Sequence, residues 1–244
     1  MSINFEVGSR TDVGKRKKNN EDCAKIVTKK RLFIVADGVG GVEHGEVAAK
    51  IAVDTIAKEF IPREISTLAI VTQFAHKKIK DEAALKGGKM YTTLTALHIT
   101  SDNKAHFVHV GDSRLYHFSD GHLEQLTEDH TMENYLIKIG HIEKGAYVPP
   151  HLKNTLTQAL GFKNITPQQG EHATKPGSVY LVCSDGLTKH VSDEEIKTLL
   201  ERVHKGELHS RRAANELVRM ANAGGGHDNT TVIVVKTLQK HVRA

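Results

Sequence analysis

The chain has 244 residues and a formal net charge of +5, with 39% hydrophobic and 26% charged residues. This length fits one large domain or two small ones, and the composition is that of a globular protein, which excludes a disordered, collagen-like or coiled-coil chain. The apolar runs span only a handful of residues, whereas a membrane-spanning helix needs about 20, so we expect no membrane-spanning segment. The positive charge leaves open an acidic partner, whether a nucleic acid, a phosphoprotein or an anionic lipid.

The N-terminal segment and the cysteines bear on the cellular compartment. Residues Met1–Gly14 lack the apolar stretch of a signal peptide. The two cysteines, Cys23 and Cys183, stand outside any C-x-x-C motif, which favours two buried thiols over a disulfide. We therefore expect a cytoplasmic protein.

The first third of the chain predicts one buried strand and two helices. Leu32–Ala36 is a continuous apolar run between a basic cluster and an Asp-Gly pair, which is typical of a buried strand. Apolar residues recur at four-residue steps in Gly45–Phe60 and again in Ser66–Leu85, so each segment is predicted to be a helix with one apolar face.

The middle of the chain predicts a run of strands. Thr92–Ile99, Ala105–Val110 and Arg114–Phe118 are β-like, and the connections are too short for helices, so we predict an antiparallel meander. The segment Thr131–Thr155 has weak periodicity and a Pro-Pro pair, which indicates an irregular, partly helical excursion.

The last third predicts two strands and two helices. The strands are Val179–Cys183 and Thr230–Val235. A capping box at Ser192-x-x-Glu195 opens the first helix, and Ser210–Ala223 forms the second, which ends at three glycines. Helices in pairs and strands in consecutive groups favour an α+β fold over a doubly wound parallel sheet.

Four aspartates share one context, because each lies where an apolar strand meets a glycine-bearing turn. They are Asp37, Asp112, Asp185 and Asp228. If these side chains converge, they form a set of hard oxygen ligands, which suits Mg²⁺ or Mn²⁺ better than zinc or copper. Any single Asp-Gly pair is more often a plain turn, and we interpret Asp120-Gly121 as only that.

A basic block at Lys15–Lys18 precedes a second acidic pair, Glu21-Asp22. Cations and carboxylates this close in sequence fit a phosphate-and-metal site, and they fit a solvated salt-bridge patch equally well. A nucleic-acid surface is a weaker interpretation, because aromatic residues make up 5% of the chain and tryptophan is absent. The 16 histidines show no metal-binding spacing, so we expect surface or core positions for most of them.

The acidic residues belong to motifs that occur in a fixed order between about Val7 and Val235. These motifs are Thr11–Gly14, Asn19–Asp22, Val35–Gly41 with Gly45-Glu46, Thr92–Leu94, Val110–Tyr116, Leu126–His130, Leu156–Gly161, Cys183–Leu187 and Asp228–Thr231. In this order the chain resembles the metal-dependent type 2C serine/threonine protein phosphatases, in their compact bacterial form. One D-G-x-G-G motif would be weak evidence, whereas the ordered set is specific.

The resemblance implies an architecture for the chain. It implies a four-layer αββα sandwich, in which two antiparallel sheets are flanked by helix pairs. Residues 1–244 would form a single phosphatase domain, with a flap at about residues 131–155 beside the active site. The flap would influence the choice of substrate.

The resemblance also implies a metal site with two to three Mn²⁺ or Mg²⁺ ions. The implied ligands are Asp37 (bridging two ions), the Gly38 carbonyl, Asp185, Asp228, Asp112 (helping to hold a weaker third ion) and Asp22. Glu21 and Asn229 would support these ligands from behind. A water bridging two ions would be the nucleophile, so neither Cys183 nor Ser184 is expected to form a covalent intermediate.

The implied activity is hydrolysis of phosphoserine and phosphothreonine on proteins, in opposition to a bacterial serine/threonine kinase. Phosphoproteins would be the partners, with no nucleic acid and no membrane involved, and we expect a monomer. The alternative is a catalytically weak relative that binds phosphoproteins as a regulatory module. The complete set of aspartates disfavours that alternative, because a binding module has no need of a metal site.

The chain departs from the family pattern at three positions. Lys17 stands where family members usually place a phosphate-binding arginine, and we expect it to bind phosphate more weakly, with help from Arg16. Val39 replaces the histidine that many eukaryotic members have, so the side chain cannot donate a proton. Tyr91 replaces a common glycine, for which we expect only local packing.

Overall fold

The computed structural model describes residues 4–40, 44–64 and 66–239, which form ten β-strands and seven α-helices. The strands are β1 (Asn4–Asp12), β2 (Asp22–Val27), β3 (Leu32–Asp37), β4 (Leu94–Ile99), β5 (Lys104–Val110), β6 (Arg114–Ser119), β7 (His122–Gln125), β8 (Gln168–Ala173), β9 (Val179–Cys183) and β10 (Thr230–Leu238). The helices are α1 (Gly45–Glu59), α2 (Thr67–Lys86), α3 (Met132–Lys138), α4 (Pro150–Lys153), α5 (Asp185–Thr188), α6 (Asp193–Lys205) and α7 (Ser210–Ala223).

The strands form two five-stranded sheets in which every neighbouring pair is antiparallel. Sheet I has the order β1-β10-β9-β6-β7, and sheet II has the order β2-β3-β4-β5-β8. Helices α1 and α2 pack on the outer face of sheet II, and α6 and α7 pack on the outer face of sheet I. The predicted α+β class and αββα layering are confirmed.

Strand β3 is apolar from Leu32 to Ala36 because both of its faces are buried. Leu32, Ile34 and Ala36 pack against the helices outside sheet II. Phe33 and Val35 point the other way and pack against sheet I. Because successive side chains of a strand alternate between faces, a strand with both faces buried needs apolar residues throughout. The central strands therefore hold the two sheets and the outer helices together.

The predicted helices lie where the sequence patterns place them, within two residues at each end. Helix α7 spans Ser210–Ala223, as predicted. Helix α6 begins with the predicted capping box, in which Ser192 and Glu195 each accept a hydrogen bond from the other's backbone N–H. The excursion after Thr131 contains the two short helices α3 and α4.

The predicted three-stranded meander is wrong at its second connection. Strands β4 and β5 form a hairpin, but β6 pairs with β7 and β9 in the other sheet. The link between β5 and β6 begins at Gly111, whose φ of +111° is a conformation that favours glycine. A Cβ at this position would lie 2.6 Å from Thr93 Cγ2. The chain thus crosses between the sheets in a tight turn that carries Asp112.

Four strands have no counterpart among the sequence predictions: β1, β2, β7 and β8. The sequence of β8 is Gln-Gln-Gly-Glu-His-Ala, and β7 is equally polar. Both lie at an edge of their sheet, where one side of the backbone has no neighbouring strand. Polar residues are tolerated there because an edge strand is partly solvated, so the hydrophobic pattern that reveals a strand is missing.

Among residues 4–40, 44–64 and 66–239, no helix is long and apolar enough to cross a lipid bilayer. Gly41, the last residue of the D-G-x-G-G motif, lies outside the described residues. Asp120 and Gly121 both have positive φ and join β6 to β7, so this pair is a turn, as predicted.

Candidate active site

The acidic residues meet at one end of the sandwich because of the way in which the strands end. Asp22 begins β2 and pairs in register with Asp37, which ends β3. Asp112 follows β5, and Asp185 begins α5 two residues after β9. Asp228 precedes β10 by two residues. Antiparallel pairing brings these strand ends, which are far apart in sequence, to the same edge of the two sheets.

A cavity of about 490 Å³ opens at this end. Its acidic lining consists of Asp37, Asp112, Asp185 and Asp228. Asp22 lies beside them, where its Oδ2 accepts a hydrogen bond of 2.8 Å from the Ser184 hydroxyl. The structure therefore brings together the five aspartates that the sequence marks as candidate metal ligands, and Gly38 also lines the cavity.

Buried threonine and serine hydroxyls hold the backbone of Asp37 in place. The Asp37 N–H donates to Thr93 Oγ1 at 2.9 Å, and the Asp37 carbonyl accepts from the Thr92 hydroxyl at 2.9 Å and from the Thr93 N–H at 2.8 Å. Thr93 Oγ1 is also 2.7 Å from Ser113 Oγ. This network fixes the direction of the Asp37 carboxylate by anchoring the residue that carries it.

A close backbone approach beside Asp37 explains the glycine that follows it. A Cβ at Gly38 would lie 2.4 Å from backbone atoms of Gly45, the first residue of α1. The Gly38 N–H donates to the Glu21 carbonyl at 3.1 Å. Only glycine allows this contact, which brings the start of α1 and the end of β3 together at the cavity wall.

Two lysines supply positive charge to the acidic residues of the cavity. Lys17 Nζ is 2.8 Å from Asp228 Oδ1 and 4.0 Å from Glu21 Oε2. Lys189 Nζ lies 2.5 Å from Asp185 Oδ2 and 2.9 Å from Asp228 Oδ2. Sequence reasoning identified Lys17 but missed Lys189, whose only signal is its position four residues after Asp185 on α5.

The pKa values divide the aspartates into two groups. Burial, followed by repulsion from the neighbouring carboxylates, raises the pKa of Asp37 well above its usual value. Burial likewise raises the pKa of Asp22 to about 6 and that of Asp112 to about 8. Burial also raises the pKa of Asp185, although Lys189 opposes the effect. Burial also acts to raise the pKa of Asp228, but hydrogen bonds from Lys17 and Lys189 outweigh this effect. The pKa of Asp228 is therefore lowered.

The donor set fits divalent cations that prefer oxygen ligands. Asp22 Oδ1 and Asp185 Oδ1 are buried and have no hydrogen-bond partner among the described residues. Leaving such oxygens unpaired is costly unless a cation or a proton compensates them. The cavity lining, over the residues described, contains carboxylates and no cysteine or histidine. These ligands suit Mg²⁺ or Mn²⁺ rather than zinc or copper.

Asn229 ties three segments together behind the carboxylates. Its Oδ1 accepts from the Glu21 N–H at 2.8 Å, and its Nδ2 donates to the carbonyls of Val13 and Asn19 at 2.9 Å each. The side chain is buried, with 2% of its surface exposed. It therefore fixes the loop that carries Lys17 against the strand end that carries Asp228.

Two of the residues that depart from the family pattern, Tyr91 and Val39, line the cavity. Tyr91 packs edge-on against Phe162, with ring centroids 4.7 Å apart, and both rings line the cavity. Val39 also lines it, and its N–H donates to the Tyr91 carbonyl at 3.0 Å. Arg16 is exposed and is not among the described residues that line the cavity.

Cys183 and Ser184 are poorly suited to nucleophilic attack. Burial raises the pKa of the Cys183 thiol to about 12, so the reactive thiolate is scarce at neutral pH. The Ser184 hydroxyl donates to Asp22 and accepts from the Thr231 N–H. Both groups thus have structural surroundings, in line with the expectation that neither forms a covalent intermediate.

Comparison with known proteins places this arrangement in a family. The family model for protein phosphatase 2C matches residues 13–221. The chain is 33% identical over 245 residues to protein phosphatase PhpP of Streptococcus pneumoniae, with 95% of this chain and 97% of PhpP covered. It is 35% identical over 248 residues to serine/threonine protein phosphatase PstP of Mycobacterium tuberculosis, where the match covers 96% of this chain and 45% of the longer PstP.

The fold comparison agrees with the sequence comparison. The crystal structure of the catalytic domain of PstP in complex with two manganese ions superposes with a TM-score of 0.84 at 31% identity, covering 98% of this chain and 100% of that one. The predicted family, fold and hydrolase class are confirmed, and manganese in PstP agrees with the predicted cofactor. The chain belongs to the protein phosphatase 2C family of metal-dependent serine/threonine protein phosphatases.

Proposed function

We propose that the acidic end of the sandwich is the metal centre of this phosphatase and that it hydrolyses phosphoserine and phosphothreonine on proteins. The proposed ligands are Asp37, the Gly38 carbonyl, Asp185, Asp228, Asp112 and Asp22. The observation that carries the proposal is a pair of buried carboxylate oxygens, Asp22 Oδ1 and Asp185 Oδ1, that have no hydrogen-bond partner in the described part of the chain. When bound, two or three Mn²⁺ or Mg²⁺ ions neutralise a phosphate monoester and make water nucleophilic at neutral pH.

Two groups of residues keep the site in shape for that reaction. Thr92, Thr93 and Ser113 hold Asp37 in a fixed direction, so the site needs little reorganisation when the substrate arrives. Asn229 and Glu21 keep the basic loop against the carboxylates.

Lys17 is the proposed phosphate-binding residue. Its Nζ already lies at the cavity, 2.8 Å from Asp228 Oδ1, and about a third of its side chain (32%) is exposed. Once cations compensate Asp228, the ammonium group is free to turn towards the substrate. Lysine binds phosphate as a point charge, without the paired hydrogen bonds of arginine. Arg16 is proposed to add positive charge from the surface of the same loop.

The segment 131–155 is proposed as a flap that selects substrates. Asn154 and Thr155, at its C-terminal end, form part of the cavity wall together with the adjoining Leu156. A protein substrate would have to pass this wall to reach the carboxylates. Loops that line a site on a rigid scaffold commonly determine specificity.

The physiological setting is proposed from the chemistry and the relatives. PhpP is a protein phosphatase, and PstP is a serine/threonine protein phosphatase. We infer that the substrates here are phosphoproteins made by a serine/threonine kinase in the cytoplasm, and that the chain acts as a monomer without nucleic acid or membrane. The two cysteines are free thiols, which suits a reducing compartment.

The test is hydrolysis of p-nitrophenyl phosphate and of phosphoserine and phosphothreonine peptides with millimolar Mn²⁺, with EDTA and the Asp185→Asn variant as controls. We expect turnover that EDTA abolishes and that Asp185→Asn reduces by more than about 100-fold. Metal-independent turnover would contradict the proposal. Tight phosphopeptide binding without turnover would support the regulatory module instead.

A further inference from the structure

A second cluster of metal-binding side chains lies outside the Asp37 cavity. His117 on β6, Glu124 on β7 and His172 on β8 each offer one ligand atom, and these atoms lie within 4.8 Å of one another. None of the three lines the Asp37 cavity. His117 and Glu124 lie opposite each other in the β6–β7 hairpin at one edge of sheet I, and His172 joins them from β8, an edge strand of sheet II.

His117 is the buried member of the cluster and the one with an unmet hydrogen-bonding need. It is 8% exposed, and its Nε2 is buried without a partner among the described residues. Burial, with help from the neighbouring His172, lowers the pKa of His117 to about 4. Because its Nε2 has no hydrogen-bond partner among the described residues, this nitrogen is available to a metal ion.

His172 lies beside both His117 and Glu124. His172 Nε2 is 3.8 Å from Glu124 Oε2, and the rings of His117 and His172 have centroids 4.2 Å apart. On its other side, His172 Nδ1 is 3.5 Å from the hydroxyl of the buried Tyr180. A partner at one ring nitrogen fixes the orientation of a histidine and leaves the other nitrogen for a metal.

We propose that His117, Glu124 and His172 form a binding site for Zn²⁺ that is separate from the phosphatase centre. Two imidazoles and one carboxylate, with water as a fourth ligand, are a common zinc donor set. Ligand atoms about 2.0–2.2 Å from a tetrahedral ion lie roughly 3.4 Å apart, so the cluster has to contract by no more than about 1.4 Å. Glu124 has room to move towards the two histidines, because 63% of its side chain is exposed.

The ligand types separate this site from the acidic cavity. Imidazole favours zinc and its neighbours in the first transition series, whereas the all-oxygen cavity suits manganese and magnesium. A zinc ion here would join the edge strand of sheet I to that of sheet II. Because the ion binds the folded protein and not the separated strands, it would raise the temperature of unfolding.

The experiment uses the full chain with its phosphatase centre saturated with Mn²⁺. Zinc binding is titrated in competition with a chromophoric chelator, and thermal unfolding is measured with and without Zn²⁺. The test variants are Glu124→Gln and His172→Gln. The matched control is Glu171→Gln, because Glu171 is also an exposed edge-strand glutamate beside a histidine, with Nδ1 of His106 3.6 Å away.

We expect the wild type and Glu171→Gln to bind one more equivalent of Zn²⁺ than Glu124→Gln and His172→Gln. Zinc should raise the unfolding temperature of the first pair only. All four proteins should hydrolyse p-nitrophenyl phosphate at similar rates, which confirms that they are folded. The same zinc stoichiometry and affinity in all four proteins would overturn the proposal.

Discussion

The two sides of the acidic cavity compensate their negative charge in different ways. On the side formed by β2, β3 and β5, Asp22, Asp37 and Asp112 form no ion pair with a lysine among the described residues, and the pKa of each is raised. On the side formed by the segment before β10, Asp228 is held between Lys17 and Lys189, and its pKa is lowered. Asp185 lies between the two sides, paired with Lys189 through one oxygen only.

This difference shows where the fold itself stabilises charge and where it leaves that task to another group. Burying several carboxylates together without cations destabilises their ionised forms. Asp22, Asp37 and Asp112 therefore need protons or divalent ions to compensate their charge. Asp228 is already ionised beside its two lysines without a metal ion. The following substitutions test whether the two sides behave differently.

The largest effect is expected from Asp37→Asn. Asp37 is at the centre of the side without cations, and we propose that it contacts two ions, so the variant should lose more than about 1,000-fold in kcat/KM. In EDTA the same variant should be more stable than the wild type, because a neutral amide removes a buried, repelled carboxylate. The measurements are p-nitrophenyl phosphate kinetics with Mn²⁺ and thermal unfolding with EDTA.

Asp120→Asn is the matched control, because Asp120 is an exposed turn residue paired with Lys175. It should change neither activity nor stability by much, since exposed ion pairs contribute little. If Asp37→Asn loses as much stability as Asp120→Asn or more, burial of the Asp37 carboxylate does not destabilise the metal-free protein.

Lys17→Ala should raise KM for p-nitrophenyl phosphate by about tenfold and leave kcat less affected. A hydrogen bond to a charged group contributes about 1.5–3 kcal/mol, and the partial exposure of Lys17 places it near the lower end. Lys17→Arg should bring KM to or below the wild-type value, because a guanidinium binds phosphate through two hydrogen bonds. A near-normal KM in Lys17→Ala would remove Lys17 from substrate binding.

The sequence predicted the aspartates of the comparison but not the contrast between the two sides. Asp37 and Asp228 stand in recognisable motifs, and continuous apolar runs locate the strands that carry them. Lys189 was missed, because a lysine four residues after an aspartate is typical of any solvent-exposed helix. Its contact with Asp228 arises only when α5 and the segment before β10 meet in the fold.

The fold, like the site, could be predicted from the sequence only where the pattern is local. Helix α7 was predicted to the residue because its pattern is local, whereas β8 was missed because an edge strand can be polar. The partner of β6 could not be predicted from short connections, since the turn at Gly111 sends the chain into the other sheet. His117, Glu124 and His172 likewise have no spacing in sequence that indicates a metal site. The pairing of β6 and the approach of His172 to the β6–β7 hairpin arise only in the folded chain.

Lys189→Gln should lower the Mn²⁺ concentration that gives half-maximal activity by a few-fold. The ammonium group occupies oxygens of Asp185 and Asp228 that we assign to metal binding, so it competes with the ion for the same negative charge. Without metal the variant should be less stable than the wild type, because two carboxylates lose their partner. The control is Lys175→Gln, which removes an exposed ion pair away from the cavity. If Lys189→Gln instead needs more Mn²⁺ for half-maximal activity, then Lys189 assists metal binding and does not compete with it.

The smallest effect is expected in the pH dependence of Asp112. In the metal-free protein the pKa of Asp112 is about 8, above its usual value near 4, so the folded state keeps a proton that the unfolded state has lost. The stability that this proton contributes is complete below about pH 4 and is lost as pH rises through 8. In EDTA, the wild type should therefore lose at least about 1 kcal/mol of unfolding free energy relative to Asp112→Asn between pH 5 and pH 8, as measured by urea denaturation.

Saturating Mn²⁺ should reduce this pH dependence, because a nearby cation favours the ionised carboxylate. A difference between the two proteins that does not change with pH in EDTA would place Asp112 with Asp228, on the side whose charge the protein already compensates.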